Sequence, residues 1–164
     1  MVLTEPELAW NGSLHQSSVL DIDVDPDGKF IASASYDKTA RLWDMGGEPL
    51  WESYLGGAVT SVRFSPCSEL LACGTLNGYV HVLDAKTAEK LRIFASHKNS
   101  IHIAVFGRYS TDIYSTCGGD IKIWRDFRSP DTEPTEKCLF TFDGLRVSPD
   151  PNFGLRRSDS LTRS

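Results

Sequence analysis

The chain has 164 residues, 40% of them apolar and 24% charged, with a net charge of −5. That length is one domain or a piece of one, and the ordinary composition excludes wholesale disorder, a collagen-like repeat and a disulfide miniprotein. An excess of 22 Asp and Glu over 17 Lys and Arg disfavours nucleic acid as a partner, because a duplex-binding surface normally needs a basic excess. No stretch approaches the roughly twenty apolar residues of a membrane span, and Met1 to Trp10 lack the basic start and long apolar run of a secretory signal.

Residues 1–18 precede the first regular pattern, and residues 8–10 can supply an outer strand. Leu20, Ile22 and Val24 then alternate with Asp21, Asp23 and Asp25, which predicts a strand with one dry and one wetter face. On that reading Asp21 and Asp23 belong to a solvated face rather than to an acid–base pair. Pro26-Asp27-Gly28 is a turn, with Pro fixing φ and Gly free to take positive φ. Phe30 to Ser35 reads as a more buried strand, Tyr36-Asp37-Lys38 as a tight connection and Thr39 to Trp43 as a third strand. Gly46-Gly47 breaks the pattern, and Pro49 to Leu55 forms a fourth, outer strand.

The pattern then recurs. Shifted by forty, Val19 to Asp44 falls on Val59 to Asp84 without a gap: Val24 meets Phe64, Pro26 meets Pro66, Ala32 meets Ala72 and Asp44 meets Asp84. A third copy from Ile101 to Arg125 aligns with one extra residue before its second strand and two fewer in the following turn. Later strands are predicted at Tyr79 to Leu83, Lys90 to Phe94, Ile121 to Trp124 and Lys137 to Phe142. Helical periodicity is absent almost everywhere. Four short antiparallel strands every forty residues are the sequence form of a propeller blade.

The segment Ala32 to Asp44 (ASASYDKTARLWD), preceded by His15, resembles a WD40 repeat, and the resemblance covers about residues 8 to 142. It implies an all-β fold: a WD40-type β-propeller fragment of about three four-stranded antiparallel blades, at 19–57, 58–98 and 99–143. The tail, 144–164, reads as disordered and rich in Arg and Ser. In this family a His, a Ser or Thr, an Asp and a Trp commonly form a hydrogen-bonded chain within each blade. The resemblance places it on His15, Ser33, Asp37 and Trp43 in the first copy, and on His97, Thr116, Asp120 and Trp124 in the third. The second copy has Leu55, Cys73, Asn77 and Leu83 at those places, so apolar packing is expected there.

A Ser, His and Asp set that recurs with the repeat is architecture, because an enzyme needs one site and not one per blade. No nucleophile elbow or phosphate-binding glycine loop accompanies it, so no catalytic residue, cofactor or metal is expected. Cys67, Cys73, Cys117 and Cys138 form no C-x-x-C pair, and Cys73 and Cys117, inside apolar strand-like runs, are expected to be small buried hydrophobes in a reducing cytoplasmic or nuclear compartment.

Closed propellers typically have four to eight blades, so three copies leave two blade faces uncovered. Three readings stand: a fragment or short isoform of a longer propeller, a ring completed by self-association or by another propeller piece, and an open arc. The family resemblance implies a non-catalytic scaffold or adaptor that binds other proteins or peptides. Its narrow top face carries over to Ser18, Leu20 and Tyr36, to Ala58, Thr60 and Leu76, and to Ser100, His102 and Gly119. The alternative is a module that binds phosphoinositide or RNA through Arg156, Arg157 and Arg163. Arg157 lies three residues before Ser160, which makes Ser160 a candidate phosphorylation site.

Overall fold

A computed structural model describes residues 14–95, 97–107 and 112–124. The possible outer strand at 8–10, the strand predicted at Lys137 to Phe142, Cys138, the tail arginines and Ser160 lie outside the described residues.

Among the described residues all regular structure is β, in three antiparallel sheets. The first holds β1 (Val19–Val24), β2 (Phe30–Ser35), β3 (Thr39–Asp44) and β4 (Pro49–Tyr54), in that order. The second repeats the order with β5 (Val59–Phe64), β6 (Leu70–Thr75), β7 (Tyr79–Asp84) and β8 (Lys90–Ala95). The third contains β9 (Ile103–Phe106), β10 (Ile113–Cys117) and β11 (Asp120–Trp124).

The turns follow from their chemistry. The buried Asp25 carboxylate accepts the amides of Asp27, Lys29 and Phe30 and so folds the β1–β2 turn onto itself. Burial opposes its ionisation, and these backbone hydrogen bonds outweigh that and hold its pKa below the ordinary carboxylate value. Gly28 sits at φ +68°, and Ser68, forty residues on, takes the same left-handed conformation at +59°. The β6–β7 turn needs a glycine more strictly. Gly78 has φ +87°, and a Cβ there would lie 2.2 Å from the His97 carbonyl oxygen.

The sheets pack face to face. Ala32, Ala34, Ala40 and Leu42 of the first sheet form one core with Val62, Phe64, Leu71, Cys73 and Leu83 of the second. Small residues on one side receive large ones on the other, which lets the sheets approach closely. Trp51 ties β4 to the neighbouring sheet by donating its indole N–H to the Ala85 carbonyl at 2.9 Å. A second core joins Ala72, Val80, Val82 and Phe94 to Ile101, Ala104, Ile113 and Trp124. The Phe94 and Trp124 rings stack with centroids 4.8 Å apart.

Two expectations are corrected. Asp21 and Asp23 do not face solvent. Asp21 Oδ2 accepts the Val62 amide at 3.0 Å and the Arg63 guanidinium, and Asp23 Oδ2 accepts the Phe64 amide at 2.8 Å. The apolar parity of β1 is the open one, with Ile22 59% and Val24 46% exposed. The innermost strand of a blade has sheets on both sides, so its acidic parity meets the second blade here, and its apolar parity is where a preceding blade would pack.

The third copy also aligns differently. His97, Ile103 and Ser115 each stand 82 positions after His15, Asp21 and Ser33, so no extra residue precedes the second strand. The hairpin loop is Gly118-Gly119, with Cys117 paired to Asp120, against the three residues Tyr36 to Lys38 between β2 and β3. The turn is therefore one residue shorter, not two.

Among the described residues, several buried side-chain nitrogens lack a hydrogen-bond partner, and His81 lacks one at both of its ring nitrogens. His81 is 5% exposed and stands opposite Cys73 and Ile93. Burial, with help from the nearby Lys90 charge, pushes its pKa down to about 4 from 6.5. The unfolded chain binds this proton more tightly, so His81 lowers stability progressively as pH falls from 6.5 towards 4. His81→Leu is expected to raise the melting temperature and to abolish that slope. The gain relative to the parent should reach roughly 3 kcal/mol at the acid end of the window, as measured by urea denaturation across it.

Candidate functional site

His15, Ser33, Asp37 and Trp43 come together in one chain of hydrogen bonds. The Trp43 indole N–H donates to Ser33 Oγ at 2.8 Å, Ser33 Oγ lies 2.7 Å from His15 Nε2, and His15 Nδ1 lies 2.9 Å from Asp37 Oδ2. Only one set of proton positions satisfies every member: indole to hydroxyl, hydroxyl to imidazole, imidazole to carboxylate. The Asp37 carboxylate also accepts the amides of Gln16 and Thr39 and the Thr39 hydroxyl. Burial opposes its ionisation. The bonds from Thr39, His15 and Gln16 prevail and hold it well below the ordinary carboxylate range.

The geometry superficially matches a nucleophilic serine activated by His and Asp. Two features argue against that chemistry. Ser33 is 5% exposed, and its oxygen is already the acceptor for the Trp43 indole. The chain staples the approach to β1 onto the β2–β3 turn and closes the edge of the sheet.

The third sheet builds a shorter version with one member replaced. Ser115, not Thr116, is the shared hydroxyl: His97 Nε2 lies 2.9 Å from Ser115 Oγ, and the Trp124 indole donates to the same oxygen at 3.0 Å. Strand register decides this. Trp124 pairs with Ile113, so the residue two further along β10 shares its face, just as Ser33 lies two beyond Ile31, the partner of Trp43. Thr116 points to the opposite face. Asp120 does not complete the chain, because the shortened hairpin places it within β11, opposite Cys117, and Gly119 takes the position of Asp37. His97 Nδ1 accordingly lacks a hydrogen-bond partner among the described residues. Burial, aided by Lys122 and opposed by Asp120, keeps the His97 pKa below its ordinary value.

The second sheet has no such chain. Leu55, Cys73 and Leu83 are buried in the core shared with the first sheet. Asn77 is exposed and packs against Gly57, where an added Cβ would lie 2.4 Å from its side-chain oxygen.

The residues expected on the top face gather at the end of the sheets that carries the β2–β3 and β6–β7 turns. The Tyr36 amide donates to the Ser18 carbonyl, and Leu76 repeats the contact with Ala58. Leu20, Tyr36 and Leu76 are 46%, 54% and 45% exposed, and Ser18, His102 and Gly119 are exposed beside them. Thr60 and Ser100 are half-buried and Ala58 is buried. The Thr60 hydroxyl is used internally, lying 2.5 Å from the Ile101 carbonyl oxygen and 3.1 Å from that of Gly74.

At the opposite end, a depression of about 380 Å³ is lined by Glu69, Leu70, Asp84, Lys86 and Leu91. Its carboxylate at Asp84 is committed as a turn cap to the amides of Lys86 and Thr87 and to the Thr87 hydroxyl. Among the described residues no group of three or more His, Cys, Asp or Glu could hold a metal ion.

Asp37→Ala removes the acceptor for four donors at once. A loss of about 2–3 kcal/mol is expected at neutral pH. The folded carboxyl pKa is depressed, so its contribution is present above the ordinary value of 3.8 and fades as pH falls through and below it. Urea denaturation on both sides of that value should therefore show the gap between parent and variant narrowing in acid.

The description "WD domain, G-beta repeat" matches residues 9–44, and "Anaphase-promoting complex subunit 4 WD40 domain" matches residues 38–108. The pre-mRNA-splicing factor cwf17 of Schizosaccharomyces pombe is 26% identical over 151 residues, which is 89% of this chain and 44% of that protein. WD repeat-containing protein 1 of Gallus gallus is 28% identical over 69% of this chain and 20% of its own length. DDB1- and CUL4-associated factor 13 of Xenopus laevis is 32% identical over 52% of this chain and 20% of its own. The chain thus spans less than half the length of each of these relatives. The crystal structure of the RRP9 WD40 repeats superposes with a TM-score of 0.65 at 24% identity, over 68% of this chain and 36% of that one. With the repeats, the blade sheets and both family matches in agreement, the chain belongs to the WD40-repeat family.

Proposed function

We propose that the chain is a non-catalytic protein-interaction module, a rigid β platform that holds a partner protein or peptide against the end of its blades. The observation that carries this reading is the row of large exposed side chains there: Leu20, Tyr36 and Leu76, with Ser18, Ser100 and His102 between and beside them. Aromatic and apolar anchors on a rigid scaffold are the side chains from which interface energy comes. The internal bonding of the Thr60 hydroxyl makes Thr60 a support for this surface rather than a contact.

Relatives whose names tie them to assemblies support the same role, among them the DDB1- and CUL4-associated factor and the splicing factor. A relative in Saccharomyces cerevisiae is named U3 small nucleolar RNA-associated protein 15. Such names favour the nuclear half of the cytoplasmic-or-nuclear expectation. No helix of the described residues is long and apolar enough to cross a membrane.

The test is affinity purification with the tagged chain, followed by titration of the captured partner. Tyr36→Ala and Leu76→Ala should each weaken binding by about 1 kcal/mol or more with the melting temperature unchanged. Undiminished capture by both variants would reject this end of the blades as the binding surface.

A further inference from the structure

We infer that the segment which docks against Leu20, Tyr36 and Leu76 is acidic, a stretch of polypeptide in which Asp or Glu is interspersed with apolar side chains. This rests on the platform role proposed above and names the chemistry of its partner. Charge is divided between the two ends of the sheets. The chain carries a net charge of −5, yet among the described residues no exposed carboxylate lies at the end that bears these three side chains. Asp37 there is half-buried and committed to four donors, and Asp120 is half-buried near His97. Asp27, Glu48, Glu69 and Glu89 are exposed at the opposite end, and Glu52 on the outer strand β4 is paired with Arg41.

Two exposed lysines stand where exposed carboxylates do not. Lys38 and Lys98 have no carboxylate partner among the described residues, whereas Lys29 at the opposite end pairs with Asp27 at 3.1 Å. Each belongs to the turn of one apolar anchor. Lys38 shares the β2–β3 turn with Tyr36 and has φ +75°. That conformation favours glycine, so backbone geometry alone does not call for a lysine. Forty residues on, in the turn of Leu76, the counterpart is Gly78, where a side chain would strike the His97 carbonyl oxygen. The loop that fills this space brings its own cation: the His97 amide donates to the Gly78 carbonyl at 3.1 Å, and Lys98 follows directly. Unpaired cations beside apolar anchors attract a partner of opposite charge and disfavour a cationic one. Two lysines are few for a nucleic acid, whose affinity is built from many phosphate contacts.

Selection of short random peptides on the immobilised 164-residue chain tests this. The enriched peptides should carry net negative charge with apolar residues between the acids, and their affinity should fall as salt is raised. Lys38→Gly, which suits the left-handed turn, and Lys98→Gln should each weaken these peptides by about threefold, and together by about tenfold. Both variants should bind with a flatter salt dependence and an unlowered melting temperature. An enriched set without negative charge overturns the inference, as does failure to enrich any peptide. Acidic peptides that bind the double variant as they bind the parent also overturn it. So does a single-stranded oligouridylate that binds more tightly than every selected peptide and depends on the same lysines. Tyr36→Ala and Leu76→Ala separate this outcome from failure of the platform itself. Peptides weakened by those two substitutions but indifferent to the lysines would leave the surface in place and remove its charge preference. Peptides indifferent to all four would remove both.

Discussion

A four-stranded sheet of six-residue strands is too small to shield its own faces from water, so each blade of this protein is stable only against a neighbour. That constraint explains why the cores lie between sheets and not within them. One unites Ala32, Ala40 and Leu42 with Val62, Phe64 and Leu83, and the other unites Val80 and Phe94 with Ala104 and Trp124. It also explains the residue sizes. At the first joint one blade presents alanines so that the next can lay valine, leucine and phenylalanine into the space, whereas at the second joint Val80, Val82 and Phe94 of the preceding blade meet Ala104, Ile113 and Trp124 of the next.

The polar contacts obey the same constraint and vary more freely. The inner strand of each following blade has outward amides that need acceptors. The first blade supplies carboxylates from Asp21 and Asp23, and the second supplies a hydroxyl from Ser61. Within blades, the relay from Trp43 through Ser33 and His15 to Asp37 is complete, the one from Trp124 stops at His97, and the middle blade replaces it with Leu55, Cys73 and Leu83. Packing of the sheets is thus the invariant, and the hydrogen-bonded staple is one of several ways to finish a blade edge.

Much of this is legible in the sequence because each strand carries a local signal. Phe30 to Ser35 stands out as an apolar run between Pro26-Asp27-Gly28 and Tyr36-Asp37-Lys38, and the structure forms β2 over that same span. What strand alternation leaves undetermined is which parity meets water. A period of two reports two different faces. For β1 the polar face receives amides from the second blade and the apolar face is open, because its environment is set by other sheets. The identity of Ser115 was obscured for a different reason. Alignment of the third copy can place its length change in either of two turns, and an error of one residue moves a side chain to the opposite face. Counting back from the Gly118-Gly119 hairpin to the residue two beyond the partner of Trp124 would have found it. His81 carries no sequence signal at all, since an isolated histidine in an apolar run does not reveal whether its ring is satisfied.

The substitution of Cys73 for serine in the middle blade has a consequence for how the molecule can be watched. The thiol is fully buried in the joint between the first two blades, and desolvation first, with the Asp21 charge adding to it, pushes its pKa up to about 12. Thiolate is the form that reacts with alkylating reagents and oxidants, so Cys73 is chemically silent while the joint is shut, whereas Cys67 lies at the surface. The chain therefore carries its own clock for blade separation: the rate at which Cys73, followed by peptide mapping apart from the other three cysteines, becomes modifiable reports how often these two sheets part.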